Sequence, residues 1–250
     1  SIKYTGSVYT LVSGEPVGAL AASIAGVLAA KLVFGKTKCD IIIVPAAAII
    51  AGGLVGAFVS PYISDFMILI GGIINRITEL RPLPMGILIA VIMGIIITSP
   101  ISSAAIAISL GLSGLSAGAA TVGCACHMVG FAVMGYKENG VNGLISHGLG
   151  TSKLQMANSI KNPLILVPPI IASAILGGVA TTIFKMMNNK IGAGMGTSGL
   201  VGQFSTIEVM GEKALIPIVL LHFLFPAVIT FFIGKIMMKQ GLIKNGDMKI

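Results

Sequence analysis

The sequence predicts an all-α protein that crosses a membrane several times. Of its 250 residues, 55% are hydrophobic and only 10% are charged, whereas a soluble domain carries roughly 25% charged residues. Apolar runs close to the ~20 residues that a helix needs to cross a bilayer recur along the chain. A glycine-rich stretch interrupts this pattern late in the sequence, so we expect a bundle that contains broken or re-entrant helices and an amphipathic interfacial helix.

The charge balance indicates that the basic residues contact a membrane surface. The net charge is +8, and the lysines flank the apolar runs, as expected for residues that set topology at an anionic membrane face. We therefore expect membrane lipid, and no nucleic acid, among the partners.

The first two apolar runs predict two membrane spans. They cover about residues 13–34 and 41–59, and Pro45 falls in the first turn of the second, where proline is tolerated. The 250 residues are interpreted as one transmembrane domain. Because the chain starts at Ser1 with a stretch typical of the end of a loop, we expect part of that domain to precede it.

The middle of the chain contains one segment with an amphipathic pattern, followed by apolar segments that predict membrane spans. Residues 60–82 mix charged and apolar positions and predict an amphipathic helix. Residues 83–98 predict a span that ends before Pro100, because the residue preceding a proline avoids helical geometry. Residues 101–118 are apolar but short and serine-rich, and they either cross steeply or dip in and return. The next predicted span is 119–136.

The last third continues with a polar segment and two spans. Residues 137–162 are polar-rich, with a short amphipathic helix at 152–160. Spans follow at 163–187, with a kink at its paired prolines, and at 214–238. If residues 101–118 cross and the segment before Lys213 re-enters, one face of the membrane holds more lysine than the other and is cytoplasmic. That face would carry Lys31, Lys36, Lys38, Lys137, Lys153, Lys161 and the C-terminal lysines.

The glycine-rich stretch is the candidate functional segment. Residues 192–208 contain five glycines, each of which costs a helix interior ~1 kcal/mol relative to alanine. Irregular backbone at membrane depth persists only where protein buries it or where it lines a wet cavity. We therefore predict a re-entrant segment at a polar binding site, the alternative being a plain extramembrane loop. The candidate hinge positions are Gly194, Gly196, Gly199, Gly202 and Pro100.

Residues 111–118 resemble residues 196–203 at four of eight positions. Paired interrupted segments of this kind point to the substrate site of a carrier.

Several side chains suit a ligand rich in hydroxyl groups. The carboxylate of Glu208 can accept two hydroxyl hydrogen bonds, as a sugar or polyol would offer, although it could instead pair with Lys213 at the lipid interface. The histidine at 127 lies in the middle of a span, where imidazole must find a partner, either a ligand or a neighbouring helix. We expect His222 to be a packing residue. The candidate substrate-binding residues are Glu208, Gln203, Thr197, Ser198, His127, His147 and Ser102.

No catalytic pattern is visible on this chain. It has no phosphate-binding loop, no HExxH and no Gly-x-Ser-x-Gly elbow. Its three cysteines have no metal-ligand spacing, so no cofactor is expected. Any energy coupling would come from an ion gradient or from a partner protein.

Three strings resemble a known family. They occupy residues 79–123 (ELRPLPMGILIAVIMGIIITSPISSAAIAISLGLSGLSAGAATVG), 158–169 (NSIKNPLILVPP) and 192–203 (GAGMGTSGLVGQ). Together they resemble the EIIC-type membrane proteins of the second phosphotransferase-system group, which includes the perfringolysin-regulator-like proteins.

The resemblance implies a sugar-permease-like fold with re-entrant hairpins, a homodimer and a multi-pass location in a bacterial plasma membrane. In related sugar carriers a Gly-Ile-Thr-Glu motif on a hairpin binds sugar. Residues 205–208 (STIE) are similar, with isoleucine and threonine exchanged and the glycine replaced. Separate EIIA and EIIB proteins would be needed for any phosphorylation. Two functions follow, a carrier of a sugar or similar polar molecule, or a non-transporting membrane sensor or regulator on the same scaffold.

Overall fold

A computed structural model describes residues 2–5, 8–11 and 16–250. The chain divides into two compact units, which are Ser1–Gly71 with Ile108–Leu110, and Gly72–Ala107 with Gly111–Ile250. Among the described residues, the helical stretches long and apolar enough to cross a membrane are Pro16–Val33, Asp40–Phe58, Gly114–Met134, Pro163–Thr182 and Ser198–Lys239. Pro82–Thr98 is apolar but shorter. The chain is therefore an all-α polytopic membrane protein, as the sequence predicts.

The first unit contains the first two predicted spans. Helix α1 covers Pro16–Val33 and helix α2 covers Asp40–Phe58, each within three residues of the expected start and one of the expected end. The helices pack through small residues, and a Cβ added at Gly26 would lie 2.9 Å from the Ala48 carbonyl oxygen. Two short antiparallel strands, β1 (Ile2–Thr5) and β2 (Val8–Leu11), precede them and were not predicted from the sequence.

The predicted amphipathic helix forms as α3, Ser60–Leu80. Near its C-terminal end, Asn75 binds the turn that precedes the next long buried helix. Its amide donates to Gly111 O at 3.0 Å and its carbonyl oxygen accepts from the Ser116 hydroxyl. The position of α3 at the membrane interface stays a prediction.

The second unit is built around one buried helix. Helix α6, Gly114–Met134, is buried along nearly all of its length. It packs against α4 (Pro82–Thr98), α9 (Val167–Thr182) and α12 (Phe225–Lys239). The paired prolines of α9 lie in its first turn, where a missing N–H leaves no hydrogen bond unmade, and the span changes there from a 3-10 turn, Pro163–Leu166, to an α-helix. The kink predicted at this point stays a prediction.

Contacts along the helices give their relative directions. Ala90 of α4 lies against Gly123 of α6, and Thr98 further along α4 bonds His127 further along α6. Helices α4 and α6 are therefore parallel. Helix α9 runs the other way, since its C-terminal Thr181 donates to Pro82 O at the start of α4.

Because α4 and α6 are parallel, the chain between them must return along the full bundle. It does so through an eight-residue helix, α5 (Ser103–Leu110), which is only about 12 Å long, and through non-helical residues on either side. One end of this connection is held by Lys153, whose ammonium donates to Ser99 O. The other end is held by Asn75 at Gly111 O. This path agrees with the alternative in which the apolar serine-rich segment crosses.

The polar segment and the C-terminus lie together at one end of the second unit. The segment forms α7 (Tyr136–Ile145), a π-turn (Ser146–Gly150), a 3-10 turn (Ser152–Gln155) and α8 (Met156–Lys161). Glu138 accepts hydrogen bonds from the backbone N–H groups of Gly246 and Met248. The backbone N–H of Lys244 and the amide of Asn162 hold the pKa of Asp247 below its usual value. The structure thus places two of the predicted lysine-rich segments on one face.

Candidate functional site

Residues 188–210 form a re-entrant hairpin alongside α6. An arm of successive turns rises from Asn188, whose backbone pairs with Gly114 at the start of α6. It reaches Thr197, whose hydroxyl contacts the Met128 sulfur at 3.6 Å, about 20 Å further along the helix. A 3-10 turn, Ser198–Leu200, reverses the chain, and α10, Val201–Met210, returns.

The hairpin leaves at the end of the bundle where it entered, because the Met210 sulfur accepts from the Met187 N–H. The prediction of a re-entrant segment is therefore confirmed.

Gly196 shows why this stretch needs glycine. Its φ is +54°, and an added Cβ would lie 2.8 Å from the Cys124 carbonyl carbon and 2.9 Å from the Ala125 nitrogen. The hairpin backbone therefore touches the middle of α6 directly. Gly199 also has a positive φ, +53°, but the space beside it is open.

The other predicted hinge positions also lie where the chain turns or packs closely. Gly194 accepts a hydrogen bond from the Ser103 hydroxyl at 2.6 Å, and Gly202 packs against Thr121. Pro100 lies in the break after α4. Their role as hinges stays a prediction.

Asn188 joins both arms of the hairpin to α6. Its side-chain amide nitrogen lies 2.7 Å from the Thr121 hydroxyl, 3.1 Å from Gly202 O and 3.0 Å from the Thr206 hydroxyl. The residue is buried. Asn188 could not be identified as a key residue from the sequence, because nothing in the local pattern distinguishes it from Asn189.

His127 is fully buried near the tip of the hairpin. Its Nδ1 lies 3.0 Å from the Thr98 hydroxyl, which in turn lies 3.1 Å from the Ser152 hydroxyl. Its Nε2 has no hydrogen-bond partner and lies beside Gly94 in the α4–α6 interface. The bond to a neighbouring helix is therefore present, and binding of a ligand by His127 stays a prediction.

His147 is buried with both ring nitrogens in use. Nδ1 donates to Gly143 O at 2.8 Å, so Nε2 is the acceptor, and it lies 2.9 Å from the amide nitrogen of Gln155. Burial lowers the pKa of His147, and the bond to Gly143 opposes this in part. In this arrangement neither nitrogen is available to a ligand.

Gln203 and His222 form a second buried pair. The Gln203 amide nitrogen lies 2.8 Å from His222 Nδ1, and this bond connects α10 to a π-turn, Val219–Leu224. The π-turn leads from α11, Leu215–Ile218, into α12. Gln203 Oε1 and His222 Nε2 have no hydrogen-bond partner. His222 is therefore more than the packing residue that the sequence predicted.

The remaining candidates lie apart from this cluster. Glu208 is exposed on the outer face of α10, about 10 Å along the helix from Val201, and accepts from the Asn189 amide at 3.0 Å. Ser102 accepts from Ala105 N at 3.2 Å and caps the start of α5. Ser198 lies at the hairpin tip, which packs against the π-turn that contains His147. The structure thus brings the tip near His127 and His147 but does not bring Glu208 to them.

Comparison with known proteins agrees with these features. A family model described as phosphotransferase system, EIIC, matches residues 1–250, the whole of the sequence given. Comparison with curated proteins and with solved structures finds no match. The chain forms a helical bundle with several spans and a re-entrant hairpin, and the family model matches it along its entire length. It therefore belongs to the EIIC family, the sugar-specific membrane component of the phosphotransferase system.

Proposed function

We propose that this EIIC protein is a carrier that binds and translocates a sugar or a similar polar small molecule at the re-entrant hairpin. The observation that carries the proposal is the hairpin itself, which brings Thr197 and Ser198 about 20 Å along α6, to the depth at which the partly unsatisfied His127 lies. Interrupted segments that end inside a bundle form the substrate sites of many carriers.

The polar groups in the interior favour a neutral ligand. Within the described part of the chain, every fully buried polar side chain is a Ser, Thr, Asn, Gln or His, and none is a carboxylate, an ammonium or a guanidinium. Such groups donate and accept hydrogen bonds without compensating a full charge, which suits hydroxyl groups better than ions.

Glu208 would add one charged acceptor on the outer face of the hairpin. A carboxylate at membrane depth needs water or a protein partner, and the Asn189 amide supplies one such hydrogen bond.

The remaining parts of the proposal concern assembly and location. Family membership implies a sugar substrate and EIIA and EIIB partner proteins, which would supply the phosphoryl group. We further propose a homodimer in a bacterial plasma membrane, in contact with lipid. No cofactor on this chain is required, because the phosphoryl chemistry would belong to the partners.

Ligand binding is tested first and transport second. Purified protein is screened by thermal unfolding against hexoses, hexitols, amino sugars and disaccharides, with a thiol-reactive dye that reports exposure of the buried Cys124 and Cys126. We expect at least one sugar to raise the unfolding temperature and to enter proteoliposomes that contain the protein. Binding without entry would instead identify a sensor or regulator.

Replacing Glu208 with glutamine tests its contact with the ligand. Glutamine keeps the shape and one acceptor but loses the charge, and hydrogen bonds to charged groups contribute about 1.5–3 kcal/mol. We expect calorimetry with the sugar found in the screen to show a ~10- to 100-fold loss of affinity. Glu212→Gln, an exposed acid in the following turn, is the matched control. Equal affinities in the two variants would remove Glu208 from the site.

The lysine distribution predicts that the C-terminus is cytoplasmic. In a variant without the exposed Cys39, a cysteine at Lys244 should resist a membrane-impermeant maleimide in intact cells, whereas a cysteine at Lys190 should react. These positions mark opposite ends of α6, since Asn188 pairs with Gly114 and Met248 packs beside the other end. External labelling at Lys244 would reverse the orientation.

A further inference from the structure

The chain contains two buried histidine–glutamine pairs that resemble each other closely. His147 lies 2.9 Å from the amide nitrogen of Gln155, and His222 lies 2.8 Å from that of Gln203. Both histidines are fully buried, and each lies in a π-turn. Such turns are rare in helices and recur at functional sites. The hydrogen-bond partners of the two pairs can therefore be compared directly.

In the first pair every side-chain polar atom has a partner. His147 Nδ1 donates to Gly143 O, and the Gln155 amide nitrogen donates its second hydrogen to Met248 O at 2.8 Å. Gln155 Oε1 accepts from the Asn158 amide at 2.8 Å. This pair is complete without a ligand and fastens the C-terminal residues to the polar segment.

In the second pair two atoms are left over. Gln203 Oε1 and His222 Nε2 have no hydrogen-bond partner. If the Gln203 amide donates to Nδ1, the free atoms are a carbonyl acceptor and an Nε2–H donor. If the amide is turned over and the other histidine tautomer is present, the free atoms are an N–H donor and an Nε2 acceptor. Either assignment makes one of the two free atoms a donor and the other an acceptor, and the Gln203 amide keeps its second N–H as a further donor.

One free donor beside one free acceptor defines the ligand chemistry. A hydroxyl group donates one hydrogen bond and accepts others, so the hydroxyl groups of one sugar can satisfy both atoms. A cation would find only the acceptor and an anion only the donor. Because buried unpaired polar groups are destabilising, the second pair has a cost that the first pair does not have.

The Gln203–His222 pair also lies at the depth expected of a substrate site in a carrier. Gln203 follows Gly202, which packs against Thr121, and Leu221 shares a buried cluster with Cys126 in the middle of α6. The pair therefore lies near mid-depth of the bundle. It connects the returning arm of the hairpin to the last membrane span.

We propose that Gln203 and His222 form a subsite that binds hydroxyl groups of the transported sugar. This inference rests on the proposed carrier function and adds two things to it, the neutral hydroxyl chemistry of the ligand and a role for His222. Movement of the hairpin relative to the last span would make the pair reachable for the ligand.

The test begins with the protein without ligand and compares two double variants. Gln155→Leu/His147→Phe removes the three hydrogen bonds to Gly143 O, Met248 O and Asn158, so its Tm should fall by at least about 5 °C. Gln203→Leu/His222→Phe removes two unsatisfied atoms and leaves none behind, so its Tm should stay unchanged or rise. A fall as large as in the first variant would show that the second pair is merely structural and would overturn the proposal.

The second arm adds glucose, mannitol, N-acetylglucosamine and maltose as probes, with sodium chloride and glycine betaine as probes without hydroxyl groups. A probe sugar should raise the Tm of the wild type but not of Gln203→Leu/His222→Phe, and its affinity for that variant should fall at least ~10-fold by calorimetry. Retained affinity would overturn the subsite but leave the carrier function standing. Absence of any sugar response in the wild type would count against both.

Discussion

Gly196→Val is expected to prevent the hairpin from packing on α6. A left-handed backbone costs a residue with a side chain about 1–2 kcal/mol, and more when it is β-branched. The added Cβ would also lie within 2.9 Å of the Cys124 and Ala125 backbone, and overpacking typically costs a further 1–3 kcal/mol. Thermal unfolding should show a Tm lowered by roughly 10 °C, or the protein should fail to elute as a single species.

Gly199→Val is the matched control for this substitution. The φ of Gly199 is +53°, nearly the same as at Gly196, but the nearest atom to an added Cβ is Val201 Cγ2 at 3.9 Å. We therefore expect only the conformational cost, and a clearly smaller fall in Tm. If the two variants unfold at the same temperature, the close approach of Gly196 to α6 contributes nothing.

Asn188→Asp is expected to have an effect of similar size. Aspartate keeps the shape of asparagine but loses both N–H donors, and it turns an acceptor towards Gly202 O, which can only accept. A charge buried without a partner is strongly destabilising, by about 3–5 kcal/mol where it has been measured. The Tm should fall by roughly 10 °C. The Thr121 and Thr206 hydroxyls would then keep the hydrogen bonds that they donate to backbone carbonyl groups of their own helices.

Asn189→Asp provides the control at the neighbouring position. The Asn189 carbonyl oxygen accepts from the N–H groups of Ile191 and Gly192, and an aspartate would keep both bonds. It would lose the bond to the exposed Glu208 and place two carboxylates side by side there, and interactions at exposed sites contribute about 0–1 kcal/mol. Similar losses of stability in the two variants would show that Asn188 does not join the hairpin to α6.

The spans could be predicted from the sequence because crossing a membrane depends mainly on local composition. Residues 83–98 were expected to form a span, and α4 covers Pro82–Thr98. The re-entrant hairpin was predictable for a related reason, since glycine-rich backbone inside a bilayer must be covered by protein. The proline at 100 marked the break after α4, because its ring excludes helical geometry in the residue before it.

The partners of the polar side chains were decided by the tertiary structure alone. Asn188 bonds Thr121, which lies 67 residues away, and Ser103 bonds Gly194, which lies 91 residues away. A local sequence pattern does not predict contacts between residues that are so far apart along the chain.

The same limit applies to the two histidine–glutamine pairs, because chain neighbours do not determine which nitrogen is satisfied. Composition and periodicity determine which segments are buried in the membrane. Only the folded arrangement of the helices determines which buried polar atoms find a partner and which remain free for a ligand.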